Sequence, residues 1–221
     1  MNLIDPAPVI YVVDDDADAR NALVRVANSM HYKVVSCVNA EEFLSIYDAD
    51  VQSCLVTDLR MQGMSGLELL RHMKASGQMI PTVIISGYAE TPVAVDSMLA
   101  GAVSFLEKTA PQHHLCEAIL RALKLSQQQL SKKAENERIR QTLSSFTLEE
   151  RKILQLVAQG KLNKEIAFEI GAPLRTVEDR RRRLMTKIGA ESIVDLVRFA
   201  LSVEQLEQND QKDHLGNDPR A

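Results

Sequence analysis

The sequence predicts an α/β domain with a doubly wound, five-stranded parallel sheet, followed by a small all-α domain that contains a helix-turn-helix. Five short apolar runs alternate with helical patterns in the first part of the chain, and this alternation is typical of a parallel sheet covered by helices. A polar stretch that lacks Pro and Gly follows, as expected for a helical connection. The rest of the chain contains helical patterns, two of which are joined by a tight turn that contains Gly.

The strands and helices of the first domain can be placed individually. Strands are predicted at residues 9–13, 33–38, 53–57, 81–85 and 102–107. Helical patterns lie near residues 19–27, 40–47, 65–75, 91–100 and 112–124. The predicted strand order 2-1-3-4-5 places the first and third strands at the point where the order reverses, which is where open α/β sheets bind ligands.

The charges are unevenly distributed and support a division into four parts. Residues 1–124 hold nine Lys and Arg against fifteen Asp and Glu, whereas residues 146–200 hold eleven against eight. We therefore predict an acidic domain at 1–124, a solvated helical linker at 125–145, a basic helix-turn-helix domain at 146–202 and a disordered tail at 203–221. The basic second domain fits a contact with nucleic acid. Because no apolar run approaches membrane-spanning length, we expect a cytoplasmic protein without a membrane partner.

Acidic side chains follow the first and third predicted strands. Asp14, Asp15 and Asp16 come directly after the first strand, and Asp58 comes directly after the third. Because parallel strands deliver their carboxyl ends to one edge of a sheet, we expect Asp14, Asp15 and Asp58 to share one pocket. Carboxylates at close range repel each other unless a cation joins them, and their hard oxygens suit Mg²⁺. An aspartate beside Mg²⁺ can accept a phosphoryl group.

Two further polar side chains end strands at the same edge. Ser86 follows the fourth predicted strand, and Lys108 follows the fifth. A hydroxyl and an ammonium in these places can both bind phosphate oxygens.

These residues, together with Phe105, resemble the receiver domain of two-component response regulators in type, order and spacing over residues 7–124. The resemblance implies that Asp58 accepts a phosphoryl group from a sensor histidine kinase. It implies that Mg²⁺ is held by Asp14, Asp15, Asp58 and the backbone carbonyl of Arg60. Ser86 and Lys108 would then bind the phosphoryl group, and Ser86 and Phe105 would form the switch.

The sequence departs from the receiver pattern at two loop positions. Gln62 stands where the family usually has Pro, and Thr109 stands where the family usually has Pro after a cis bond. Non-proline cis bonds are costly, so the second departure leaves the geometry of the loop after Lys108 open.

The second domain begins with a helix start signal, because Thr147 and Glu150 form a capping box before an apolar run. Helical patterns follow from residue 163 to Gly171, at 174–188 and at 193–201. The stretch resembles the LuxR/FixJ/NarL class of DNA-binding domain over 146–202. The matching residues are Thr147, Glu150, Leu154, Gly160, Asn163, Lys164, Glu165, Ile166, Ala167, Thr176, Val177, Leu184 and Lys187. The departures are Glu149 in place of Arg, Pro173 in place of a capping Ser or Thr, and Arg180 in place of a frequent His.

The third helix of this domain is predicted to lie in the major groove of double-stranded DNA. Val177, Leu184 and Ile188 share one apolar face, and polar residues cover the opposite face. The predicted DNA-contacting residues are Arg175, Thr176, Glu178, Asp179, Arg180, Arg182, Arg183 and Lys187.

The sequence as a whole indicates a transcription regulator that forms a homodimer and binds DNA when phosphorylated, with no enzymatic activity beyond its own phosphorylation and dephosphorylation. Two alternatives belong to other classes. The first is a phosphohydrolase of the haloacid-dehalogenase type, because Asp14 and Asp16 follow a strand in the pattern of that class. The second is a receiver that only binds partners and carries a vestigial output domain. A calcium loop is excluded, because Ala19 holds the position of its Gly and Arg25 the position of its Glu.

Overall fold

The computed structural model describes residues 7–88 and 91–215, the last five of these by their backbone only. The chain divides into two compact units, Met1–Ser131 and Lys132–Ala221. Among the described residues, none of the helices is both long enough and apolar enough to cross a membrane.

The first unit is a five-stranded parallel sheet in the order β2-β1-β3-β4-β5, which confirms the predicted fold class. The strands are β1 (Val9–Val13), β2 (Lys33–Cys37), β3 (Ser53–Asp58), β4 (Thr82–Ser86) and β5 (Ser104–Glu107). The helices are α1 (Ala17–Ser29), α2 (Ala40–Ile46), α3 (Gly66–Ala75), α4 (Thr91–Ala100) and α5 (Gln112–Ser144).

The central strands are buried on both faces, which explains their continuous apolar sequences. Side chains of a strand point alternately to the two faces of the sheet. Ile10 and Val12 therefore pack into one apolar cluster, which also contains side chains of α1 and α5. Val9 and Tyr11 pack into a second cluster, which contains side chains of α2 and α3.

The strand register brings the functional ends of the strands together. Val13 pairs with Thr57, and Asp58 pairs with Ile85. Ser86 pairs with Glu107, the residue before Lys108. The residues predicted to act on phosphate therefore follow neighbouring strands at one edge of the sheet.

The second unit contains α6 (Leu148–Ala158), α7 (Asn163–Ile170), α8 (Leu174–Ile188) and α9 (Ile193–Leu215). α6 begins with the capping box predicted for Thr147 and Glu150. α7 ends at Gly171 and α8 ends at Gly189, and both glycines adopt the left-handed conformation that closes a helix.

The two predictions for the polar segments need correction. The predicted disordered tail is helical at 203–215, where Val203 and Leu206 are buried in the core of the second unit; residues 216–221 lie outside the described residues. The predicted linker at 125–145 lies within α5, except for its last residue, but it is not solvated throughout. Ile139 is only 3% exposed, and it packs in the same core as Phe146.

Candidate functional site

Three carboxylates meet at the carboxyl edge of the sheet. Asp14, Asp15 and Asp58 each offer an oxygen, and these oxygens all lie within 4.8 Å of one another. Asp14 and Asp58 are buried, whereas Asp15 is exposed. The structure thus brings together the three side chains that the sequence predicted to share one pocket.

Lys108 reaches this cluster from the end of β5. Its Nζ lies 2.8 Å from Oδ2 of Asp14 and 2.9 Å from Oδ1 of Asp58. Burial raises the pKa of Asp58 above its ordinary value, although the ammonium of Lys108 acts in the opposite direction. Burial alone would lower the pKa of Lys108, but its bonds to Asp14 and Asp58 outweigh this effect and raise it. Lys108 is therefore a cation held between two carboxylates.

Backbone N–H groups fix each carboxylate of the cluster. The N–H of Asp16 donates to Oδ1 of Asp14 at 2.9 Å, and that of Arg60 donates to Oδ2 of Asp58 at 3.0 Å. The N–H of Gln62 donates to Oδ2 of Asp15 at 2.9 Å. These three hydrogen bonds fix the orientation of the carboxylates in the cluster.

The cluster fits a hard divalent cation. Oδ2 of Asp14 is buried and has no hydrogen-bond partner of regular geometry among the described residues, although the ammonium of Lys108 is nearby. An oxygen in this position, beside two further carboxylates, provides the hard donors that Mg²⁺ prefers. The residues present therefore suit the metal that the sequence predicted.

Ser86 and Phe105, the two residues of the predicted switch, differ in their burial and in their contacts near this edge. Ser86 is buried, and its hydroxyl donates to the carbonyl oxygen of Tyr88 at 2.7 Å. Its own carbonyl accepts the N–H of Lys108 at 2.7 Å, so β4 and the end of β5 are joined at this point. Phe105 is half-buried and packs against the apolar cluster that contains Leu59 and Ile84.

The structure shows the geometry of the loop after Lys108, where Thr109 stands in place of the Pro of the receiver pattern. None of the described residues is linked by a cis peptide bond, so the bond between Lys108 and Thr109 is trans. The N–H of Ala110 donates to the carbonyl of Glu107 at 2.9 Å, and this bond closes a turn.

The eight residues predicted to contact DNA all lie on α8, and they fall into one group of six and one group of two with different surroundings. On α8, Val177 and Leu184 are buried in the core, as the helical projection predicted. Thr176 is half-buried, and the others of the six are exposed: Arg175, Glu178, Asp179, Arg182 and Arg183. Arg182 pairs with Asp179 at 3.4 Å on the exposed face.

Arg180 and Lys187, which the sequence also predicted to contact DNA, pair in this structure with carboxylates in the first turn of α6. Arg180 lies 2.5 Å from the carboxylate of Glu149. Lys187 donates to the carboxylate of Glu150 at 2.7 Å and to the carbonyl of Ser145 at 3.0 Å. Burial alone would raise the pKa of Glu150, but the bonds from Lys187 and Thr147 lower it. Both cations therefore join α8 to α6.

Sequence reasoning missed two residues that organise these sites. Arg181 is half-buried and donates to the side-chain oxygen of Asn163, so it joins α8 to the first residue of α7. Burial lowers its pKa. Gln62 contacts the acidic cluster through its backbone, and its only signal in the sequence was that it replaces Pro.

The first unit is a doubly wound sheet that carries an acidic cluster with a bound lysine, and the second unit contains a helix-turn-helix. Together they define a regulator that joins a phosphoryl-acceptor domain to a DNA-binding domain. Comparison with protein families gives the same division. The response regulator receiver domain matches residues 10–120, and the luxR family of bacterial regulatory proteins matches residues 144–200. The chain belongs to the response regulators that combine these two domains, and it acts in two-component regulation of transcription.

Relatives cover most of the chain. The response regulator protein TodT of Pseudomonas putida is 36% identical over 89% of this chain and 87% of its own. The transcriptional regulatory protein FixJ of Bradyrhizobium diazoefficiens is 35% identical over 89% of this chain and 96% of its own. Among solved structures, response regulator StyR has a TM-score of 0.79 at 34% identity and covers 89% of this chain and 100% of its own. These relatives give no support to the phosphohydrolase alternative.

Proposed function

We propose that Asp58 is the phosphoryl acceptor and that a sensor histidine kinase is the donor. The observation that carries this proposal is the position of Asp58, a buried carboxylate at the end of β3 between Lys108 and two further aspartates. A carboxylate in this setting lies next to one cation and two anions. An incoming phosphoryl group adds further negative charge, so the site needs more positive charge to balance it.

The transfer reaction needs one nucleophile and one leaving group. An oxygen of the Asp58 carboxylate attacks phosphorus, and the bond between phosphorus and the imidazole nitrogen of the kinase breaks. The electron pair stays on the imidazole, which takes up a proton. Mg²⁺, held by Asp14, Asp15, Asp58 and the carbonyl of Arg60, would supply the charge that offsets the repulsion between carboxylates and phosphoryl oxygens. The protein contributes the rigid placement of Asp58, since its backbone is buried within the sheet.

Phosphorylation changes the partners of Lys108 and Ser86. Lys108 binds two carboxylates in this structure, and a phosphorylated Asp58 would offer it oxygens of higher charge. The hydroxyl of Ser86 would leave the Tyr88 carbonyl and bind the phosphoryl group, and Phe105 would occupy the space that becomes free. Ser86 and Phe105 therefore act as the switch in this proposal.

The switch would act on the surface of α4 and promote a homodimer. α4 carries the exposed apolar side chains of Val95, Met98 and Leu99, and Leu99 is 76% exposed. A self-complementary apolar surface is what a two-fold dimer requires. Two DNA-binding units would then contact paired half-sites of double-stranded DNA through the exposed face of α8.

One experiment tests the phosphoryl acceptor and its effect on DNA. The full chain is incubated with Mg²⁺ and a small labelled phosphoryl donor, and DNA binding is followed by footprinting on genomic DNA. We expect Asp58→Asn to take up no label and to show no donor-dependent footprint, and removal of Mg²⁺ should prevent labelling of the wild type.

Asp16→Asn is the matched control, because Asp16 is adjacent to the cluster and its oxygen caps α1 by accepting the N–H of Ala19. This variant should be labelled like the wild type. Full labelling of Asp58→Asn would contradict the proposal and would move the acceptor elsewhere.

A further inference from the structure

The carboxylates of the acidic cluster are fixed by two kinds of hydrogen bond. Asp14 and Asp58 each accept an N–H from the residue two positions later, so these two bonds are local turns within one loop. Asp15 accepts its bond from Gln62, which lies 47 positions later in the chain. Of these three hydrogen bonds, the one from Gln62 is the one that joins the loop after β1 to the loop after β3.

This long-range bond concerns the carboxylate that most needs a partner. Asp14 and Asp58 are buried and bound by Lys108, whereas Asp15 is exposed. An exposed aspartate on a loop can rotate away from two neighbouring anions, because repulsion and side-chain entropy both favour this movement. The Gln62 N–H, 2.9 Å from Oδ2 of Asp15, holds this carboxylate beside the other two.

We propose that the backbone N–H of Gln62 is a positioning group for Mg²⁺, which orients Asp15 and thereby raises the affinity of the acidic cluster for the metal. This inference rests on the proposed function, since it concerns the same metal site. Hydrogen-bond donors behind metal-binding carboxylates typically change metal affinity by about 10- to 100-fold, and an exposed donor belongs at the lower end. Gln62 therefore contributes about tenfold in Mg²⁺ affinity through its backbone rather than its side chain.

The backbone origin of the effect gives a sharp pair of variants. Gln62→Pro removes the N–H, whereas Gln62→Ala removes most of the side chain and keeps the N–H. The chain has no Trp, so Mg²⁺ binding to the metal-free full chain is measured by titration calorimetry. We expect the dissociation constant of Gln62→Pro to rise about tenfold and that of Gln62→Ala to stay at the wild-type value. Equal dissociation constants for the two variants would overturn the inference.

A second pair of variants separates Asp15 from the neighbouring Arg60 carbonyl. If Gln62→Pro acts through Asp15, its effect on Mg²⁺ affinity should disappear when Asp15→Ala is already present, as in a double-mutant cycle. An effect of the same size in the Asp15→Ala background would show that proline distorts the Arg60 carbonyl instead, and it would overturn the inference.

Hydrogen exchange tests the same bond without a proline. The amide of Gln62 should exchange faster in Asp15→Ala than in the metal-free wild type, because its acceptor is lost. Equal exchange rates would contradict the proposal even if Gln62→Pro did not fold. The outcome for the proposed function is separate: a wild-type chain that binds no Mg²⁺ would refute the metal site itself, whereas equal binding by all Gln62 variants would refute only the role of Gln62.

Discussion

Leu206 provides a test of whether the end of α9 is part of the second unit's core. Leu206 is 4% exposed and packs in a cluster with Ile139, Phe146 and Val203. Truncation of a buried Leu to Ala costs about 2–5 kcal/mol, and a residue near the edge of a core belongs in the lower half of this range. We therefore expect Leu206→Ala to lower the free energy of unfolding of the second unit by about 2–3 kcal/mol.

Hydrogen exchange of the full chain measures this loss without requiring the two units to unfold together. The slowest amides of α6 report opening of the second unit, because Ile153 and Leu154 lie at the centre of its core. A loss of about 2–3 kcal/mol corresponds to exchange that is roughly 30- to 150-fold faster in Leu206→Ala, since 1.4 kcal/mol is a factor of ten.

Leu201→Ala is the matched control, because Leu201 lies on the same helix and is 42% exposed. This variant should change the exchange of α6 by less than about threefold, as expected for a surface substitution. If Leu206→Ala left the α6 amides as slow as Leu201→Ala does, then residues 203–215 would not stabilise the core, and the reasoning would be refuted.

Three further predictions concern the two sites. Because burial raises the pKa of Asp58, the folded chain binds its proton more tightly than the unfolded chain does, so ionised Asp58 lowers stability above that pKa. Asp58→Asn should therefore raise the calorimetric unfolding midpoint of the metal-free receiver unit at pH 7, and the gain should shrink as the pH falls through the pKa of Asp58; a lower midpoint at pH 7 would contradict this. Arg182→Ala should relax the base preference of selected DNA sites by about 1–3 kcal/mol, whereas an equal loss on all sequences would make Arg182 a phosphate contact. The phosphorylated double variant Arg60→Asn with Tyr88→Glu should decay faster than the wild type after donor removal, because Arg60 and Tyr88 lack the carboxylate or carboxamide that orients attacking water, and equal or slower decay would refute this role.

The sheet and the acidic cluster could be predicted because both depend on short-range signals. Each central strand is a continuous apolar run, and a parallel arrangement requires the residues after these runs to meet at one edge. The positions of Asp14, Asp58 and Lys108 follow from that requirement alone. The hydrogen bond from Gln62 to Asp15 does not follow from this requirement, because it depends on how two loops approach each other.

The error in the tail arose from composition. The residues after 202 are mostly polar, and polar composition favoured disorder. However, Ala200, Val203 and Leu206 repeat at three-residue intervals, and this spacing continues the apolar face of α9 that begins with Leu196. Ile139 stands between Arg138 and Arg140 in a polar stretch, and the residues of the core in which it packs lie further along the chain, after the end of α5. The helical period therefore predicts that the apolar face of α9 continues past residue 202, whereas the sequence does not show which residues Ile139 packs against.

The basic residues of α8 illustrate a limit of charge counting. Their exposure depends on tertiary partners, since Glu149 lies 31 positions before Arg180 and Glu150 lies 37 positions before Lys187. Arg181 is likewise held by Asn163. Three cations of α8 therefore join helices within the unit, and the other three remain on its exposed face: Arg175, Arg182 and Arg183.

This division predicts the salt dependence of DNA binding. Each phosphate contact contributes about −0.9 to the slope of log K against log salt concentration. Arg182 is assigned to a base, so the other two exposed cations of α8, Arg175 and Arg183, contribute about −1.8 for each DNA-binding unit. Arg183→Ala should reduce the magnitude of the slope by about 0.9 for each unit, because its guanidinium is exposed. Arg180→Ala should leave the slope almost unchanged, because Arg180 is paired with Glu149, and moving it to a phosphate would leave that carboxylate without its cation. Fluorescence anisotropy with labelled DNA over a salt series measures both slopes. If Arg180→Ala reduced the slope as much as Arg183→Ala, the bond to Glu149 would not hold Arg180 away from DNA, and the assignment of this arginine to the helix packing would be wrong.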